Sequence, residues 1–169
     1  MKFKKSLQIN APASKVWEVL YTNYGSSCDW ASTVNESKER EVQNSAYIGR
    51  TCSTVFGDVS EIIDRADEER MELQYHLDDT PFIMKAATAN WKVKSLSINT
   101  SEVTMDLDVT LATVPGLLMG WMIKPKMRKD LYQTMEDLKY YIETGKQSEA
   151  KIKSDQKYFK KKVKKPHNH

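Results

Sequence analysis

The sequence is poor in the residue types that most often carry catalysis or crosslinking. Among 169 residues there are two cysteines, Cys28 and Cys52, and three histidines, His76, His167 and His169. Two cysteines without C-x-x-C spacing make no disulfide framework, and reduced thiols in a cytoplasm are the simplest expectation. Neither cysteine has an evident histidine partner for nucleophilic chemistry. The histidines form no H-E-x-x-H and no cluster, so neither a metal nor a cofactor is expected; His167 and His169 would hold a metal only adventitiously. A Ser-His-Asp triad would have to use His76, which alternates with inward-facing residues and so points to solvent. With six glycines in all, no glycine-rich phosphate loop occurs. No apolar run reaches the ~18–20 residues of a membrane span. The first residues are basic but no apolar stretch follows, so no secretory signal is expected.

What is present suits a single domain. A chain of this length buries roughly two thirds of its unfolded surface. Its 40% hydrophobic and 29% charged residues are ordinary for a globular protein. Charge is uneven. Residues 146–169 carry nine lysines against Glu149 and Asp155, a balance of +7; with +3 overall, −4 is left for residues 1–145. A division follows: a domain over 1–145 and a basic, Lys-rich extension over 146–169.

Period-two and helical patterns alternate along the chain. Leu7 and Ile9 read as a strand, Pro12 suits a helix start, and Val16, Trp17, Leu20 and Tyr24 recur on one helical face. A second short helix or turn over 26–32 contains Trp30. Strands are expected over 34–42 (a polar edge), 51–56 and 59–65, with Gly57-Asp58 as a hairpin turn and 47–50 as a turn. Met71, Leu73, Tyr75 and Leu77 alternate with polar residues, as do Ala89, Trp91 and Val93. The clearest strand sets Val103, Met105, Leu107, Val109 and Leu111 against polar neighbours, the mark of an antiparallel sheet with one wet face. Residues 78–85 around Pro81 form an irregular break. Residues 117–123 read as a short apolar helix, broken or kinked at Pro125. A long helix over 126–145 follows, with the stripe Met127, Leu131, Met135, Leu138 and Ile142, and Gly145 as its C-cap.

This order, with the 9–17 segment ending in Trp17, Trp30 followed by Val34, Gly49 before a strand, Glu61-Ile62-Ile63, the 80–85 segment, the Trp91 strand and 138–143, resembles the SRPBCC superfamily. START lipid-transfer domains, the birch-pollen-allergen family and polyketide cyclase/dehydrase-like proteins share its fold, and the bacterial polyketide cyclase/dehydrase-like branch matches best. The resemblance implies an α+β helix-grip fold, a curved antiparallel sheet of about seven strands wrapped around a long C-terminal helix. It also implies a cavity between them for an apolar or amphipathic small molecule. It does not imply an activity, since members include carriers, receptors, cyclases and chaperone activators. A G-x-x-R pattern is common in such sequences. Here Cys52 stands third after Gly49, which removes one cavity cation and weakens the case for cyclase chemistry.

Glu61 shares parity with Val59 and Ile63 and should face the cavity. A carboxylate there costs several kcal/mol unless paired or protonated. Three readings stand: a structural partner of Arg50 or Arg65, an anchor for a polar ligand end, or a weak candidate acid/base. The methionines Met84, Met105, Met119, Met122, Met127 and Met135 fill irregular space, either as core or as a cavity wall adaptable to ligand. Trp30, Tyr75, Trp91, Leu107 and Leu131 complete the expected wall, Tyr75 offering its hydroxyl. Pro81 and Pro125 are expected to flank the entrance. Burying ~400 Å² of apolar ligand surface would give a gross ~10 kcal/mol before association costs.

The reading favoured is binding or transport of a small hydrophobic molecule or lipid, not catalysis. A polyketide cyclase, aromatase or dehydratase-like enzyme and a protein-binding module with a filled core are the alternatives. For 146–169, a solvated disordered extension, a basic amphipathic helix on an anionic membrane surface, and a segment for other partners all fit. Nucleic acid is the less favoured partner, because one charge run specifies none.

Overall fold

A computed structural model of the chain describes residues 1–80 and 84–164, the side chains of 113–119 and 164 excepted. The break expected at Pro81 lies outside the described residues. Alternating inward and outward side chains build one antiparallel sheet from β1 (Lys2–Ile9), β2 (Val34–Arg40), β3 (Gly49–Thr54), β4 (Gly57–Asp67), β5 (Glu72–Leu77), β6 (Met84–Ser97) and β7 (Thr100–Leu111). Its order is β1-β7-β6-β5-β4-β3-β2. Strands β2 to β7 therefore run as a meander, and β1 closes beside β7 with Phe3 opposite Leu107. Register shifts at Ile63/Arg65, Met84/Ala86 and Ser95/Ser97 interrupt the ladders, and such bulges bend and twist strands. On β6, Ala87, Ala89, Trp91 and Val93 are buried while Lys92 and Lys94 face solvent.

Pro12 starts α1 (Ala13–Trp17), where the Lys15 N–H donates to the Pro12 carbonyl at 3.1 Å. The chain continues as a π-helical turn (Glu18–Thr22) and a 3₁₀ helix (Tyr24–Asp29). Val16, Trp17, Leu20 and Tyr24 are all buried, as their spacing predicts.

Three local expectations are corrected. Gly57 is not inside the β3–β4 turn. It opens β4 at φ +124° opposite Thr54, and Val55-Phe56 make the turn, held by the Phe56 N–H donating to Thr54 Oγ1 at 3.1 Å. Gly49 and Arg50 belong to β3, not to a turn. Pro125 neither ends nor separates a helix: α2 runs unbroken over Thr113–Thr144. Proline removes one intrahelical hydrogen bond at about 3 kcal/mol. The buried stripe Met127, Leu131, Met135, Leu138 and Ile142 beyond it supplies tertiary packing that outweighs propensity. Gly145 caps α2 as expected, at φ +70° with its N–H on the Tyr141 carbonyl at 2.8 Å.

Of the readings of the extension, the solvated coil gives way to a helix: residues Glu149–Lys164 form α3, packed on the edge strand β2. Ser148 is its N-cap: its hydroxyl oxygen accepts the Lys151 N–H at 3.1 Å, and its hydroxyl donates to Asp137. Fully buried Asp137 also accepts the Ser32 N–H and the Gln133 amide, both at 2.9 Å. Lys151 is itself fully buried, its Nζ donating to the Val34 carbonyl and to Asp155, each at 2.7 Å. Farther along, Glu36 accepts the Tyr158 hydroxyl at 2.6 Å and Lys162 at 2.7 Å. Lysine composition signals solvation, but a lysine stem packs like an alkane once its ammonium is bonded. Among the described residues, no helix is long and apolar enough to cross a membrane.

Candidate binding cavity

A partly enclosed, mainly apolar cavity of about 140 Å³ lies between the sheet and α2. Most of the expected wall is there. Trp30, Glu61, Tyr75, Met84 and Trp91 line it, as do Met105, Leu107, Met127 and Leu131. Met135 does not: it is fully buried in the core on α2, outside the wall. Met122 is 55% exposed. In an uninterrupted helix it stands about 140° around from Met127, off the buried stripe, and only a break at Pro125 would have turned it inward. The Met119 side chain lies outside the described residues.

At one end of the cavity sits a charge pair. Arg50 and Glu61 face each other across the β3–β4 ladder. The Arg50 Nε donates to Glu61 Oε2 at 2.7 Å, a second guanidinium nitrogen reaches the same oxygen at 2.5 Å, and a third N–H bonds the Tyr24 carbonyl at 2.7 Å. The guanidinium lies 4.1 Å from the Tyr24 ring centroid and 5.6 Å from that of Tyr75, within cation–π range. Both charged residues are buried, at 8% and 7% exposure. Burial opposes the Arg50 charge, yet Glu61 beside it more than compensates, and the arginine is held even more firmly protonated than usual. Burial, with Glu61 adding to it, raises the Tyr75 hydroxyl above its ordinary value; burial raises Tyr24 too. The Cys52 thiol is pushed up to about 12, chiefly by burial and then by Glu61.

Of the three readings of Glu61, the structure displays the pairing with Arg50. As the cavity's cation, Arg50 was missed. Counting three residues past Gly49 finds Cys52, while the cation stands one residue past it. The signal available was parity, since Arg50 shares a strand face with Cys52. Gly49 matters for the same geometry: a Cβ there would lie 2.8 Å from the Glu61 carbonyl oxygen. Only glycine lets β3 approach β4 this closely. A second polar point lies across the cavity, where Thr33 and Thr134 hydroxyls meet at 3.1 Å and Thr134 donates to the Asp130 carbonyl at 2.9 Å.

The polar side chains of the cavity are engaged mainly with one another. Glu61 is tied to two guanidinium nitrogens through Oε2 alone, and the Cys52 thiol, pushed up to about 12, is a poor nucleophile at neutral pH. His76 lies outside, its Nδ1 2.7 Å from Asp64; His167 and His169 are outside the described residues. Among the described residues, no group of three His, Cys, Asp or Glu side chains is placed to hold a metal.

A seven-stranded antiparallel sheet gripping one long helix over such a cavity is the helix-grip architecture of the SRPBCC superfamily. The chain belongs to the family described as polyketide cyclase/dehydrase and lipid transport, whose model matches residues 1–143. Among solved structures, it resembles a Thermus thermophilus protein at 13% identity and TM-score 0.69, covering 84% of this chain and 97% of that one. It also resembles the Zhui aromatase/cyclase from Streptomyces sp. R1128 (16%, TM-score 0.62, covering 100% and 99%). A Thalictrum flavum norcoclaurine synthase bound to a transition-state analogue is similar at 7% identity and TM-score 0.63, covering 84% and 93%. At these identities the likeness is one of fold. No curated protein matches the chain significantly. The family match ends before α3 begins.

Proposed function

We propose that this protein binds a small, neutral, apolar molecule of about one ring in the cavity between the sheet and α2. The observation that carries this is the cavity of about 140 Å³ with an apolar wall and a self-neutralised charge pair. A dry apolar cavity of about 150 Å³ accommodates benzene, whereas drug-sized ligands occupy ~300–1,000 Å³. Larger ligands, lipids included, require the wall to move. Because Arg50 pairs with Glu61, and Asp130 in the wall pairs with Lys126 at 2.6 Å, the cavity offers little net charge to a charged ligand, and Tyr75 and Thr134 supply the neutral polar points. Burying ~250 Å² of ligand surface gives a gross ~6 kcal/mol, and association costs leave affinities of roughly high micromolar to millimolar.

The cyclase reading needs two polar groups free to converge on a substrate. Here the two charged groups converge on each other. A protein-binding module predicts a filled core, against which the cavity speaks. Native mass spectrometry of the protein equilibrated with an excess of a neutral one-ring aromatic tests the proposal. A one-to-one adduct is the expected result; no adduct, or an acyl lipid or multi-ring polyketide retained through purification, would refute it.

A further inference from the structure

Docking of α3 sorts its residues into two sets. Lys151, Tyr158 and Lys162 turn inward to Val34, Asp155 and Glu36. What is left outside is not a uniform charged face. At 100° per residue, Ile152, Phe159 and Val163 fall on one row, and they are 44%, 44% and 86% exposed. Counted from Ile152, Lys160 stands about 80° around the helix, Lys157 about 140° and Lys161 about 180°; among the described residues these three form no ion pair. An apolar row with free ammonium groups on the adjoining solvent side suits the boundary between anionic headgroups and acyl chains, and Lys161, opposite the row, points away from it. Nucleic acid would use the lysines equally well but gives the apolar row nothing to contact.

We infer that the outward face of docked α3 is a contact surface for anionic lipid, with Ile152, Phe159 and Val163 entering the interface and Lys160 and Lys157 meeting the headgroups. This goes beyond the cavity and does not depend on its occupant. The helix binds as a folded, docked element, since the inward contacts leave this face free.

Co-sedimentation of the full chain with vesicles of equal parts phosphatidylcholine and phosphatidylserine tests it. Binding is expected there and not on phosphatidylcholine alone. Each lysine at an anionic surface contributes roughly fivefold, so Lys157→Gln/Lys160→Gln together lower partitioning about twenty-five-fold. Phe159→Ser lowers it about tenfold or more through lost apolar burial, and Val163→Ser, at the most exposed position of the row, lowers it independently. Circular dichroism verifies that each variant keeps its helix. Equal binding to neutral vesicles overturns the inference. So does an unchanged lysine variant, or apolar variants that bind like wild type. Duplex DNA that outcompetes the vesicles also overturns it and assigns the face to nucleic acid.

Discussion

Arg50 and Glu61 depend on each other more than either depends on a ligand. Removing one partner of a buried pair leaves the other charge unsatisfied, at about 3–5 kcal/mol. Urea denaturation of Arg50→Ala should show a loss of that order, and Arg50→Met/Glu61→Leu together should recover much of it. Similar losses in the single and double variants would mean the pair acts through packing and not charge. Gly49→Ala forces β3 away from the Glu61 carbonyl and should cost roughly 1–3 kcal/mol, the usual penalty for overpacking. Cys52, buried and with its thiol pushed up to about 12, should resist iodoacetamide at pH 8 while partly exposed Cys28 reacts; mass spectrometry of the modified peptides distinguishes them. At this scale the sequence was half legible. Glu61 could be placed by strand parity, because burial in a sheet has a strict period of two. Its partner was narrowed to Arg50 or Arg65, and the choice between them rests on cross-strand register, which counting from a motif does not give.

At the scale of elements, clean alternation made β5, β6 and β7 readable, and the α2 stripe beyond Pro125 was readable by its 3.6-residue period. Where the reading failed, local chemistry was overridden by packing. Pro125 has a helix breaker's preference, but a stripe of buried side chains follows it. The 149–164 segment has a disordered composition, yet Ser148 caps it and Lys151 is buried against an edge carbonyl. Docking of α3 should also depend on pH. Hydrogen bonds from Lys162 and then Tyr158 hold the Glu36 carboxyl below its ordinary value near 4.5. Docked α3 therefore binds fewer protons than free α3. Its stabilisation by Glu36 is complete above that ordinary value and is lost as pH falls through the lower, docked value. Hydrogen exchange should show amides of 149–164 losing protection on acidification before those of β6 and β7. Simultaneous loss everywhere would mean that Glu36 does not govern the helix. Lys151→Met, which leaves the Val34 carbonyl without its donor and Asp155 with the Asn35 amide alone, should release α3 at neutral pH.

Over the whole molecule, sheet and α2 enclose a cavity, and the proposed ligand follows from its volume and its paired charges. The container was visible in the order of elements. Its size was not, because a cavity is the space left after packing, and no residue pattern encodes a volume. The ~400 Å² of ligand surface assumed from the sequence corresponds to a larger molecule than the one ring proposed. The most direct test is calorimetric titration with neutral aromatics of one, two and three rings, using the wild-type protein and Ala87→Phe, whose side chain would fill much of the cavity. One-ring compounds should bind wild type at high micromolar to millimolar affinity, three-ring compounds should not, and Ala87→Phe should bind none while remaining folded. Binding of three-ring compounds in preference to one, or binding that survives Ala87→Phe, would contradict the account.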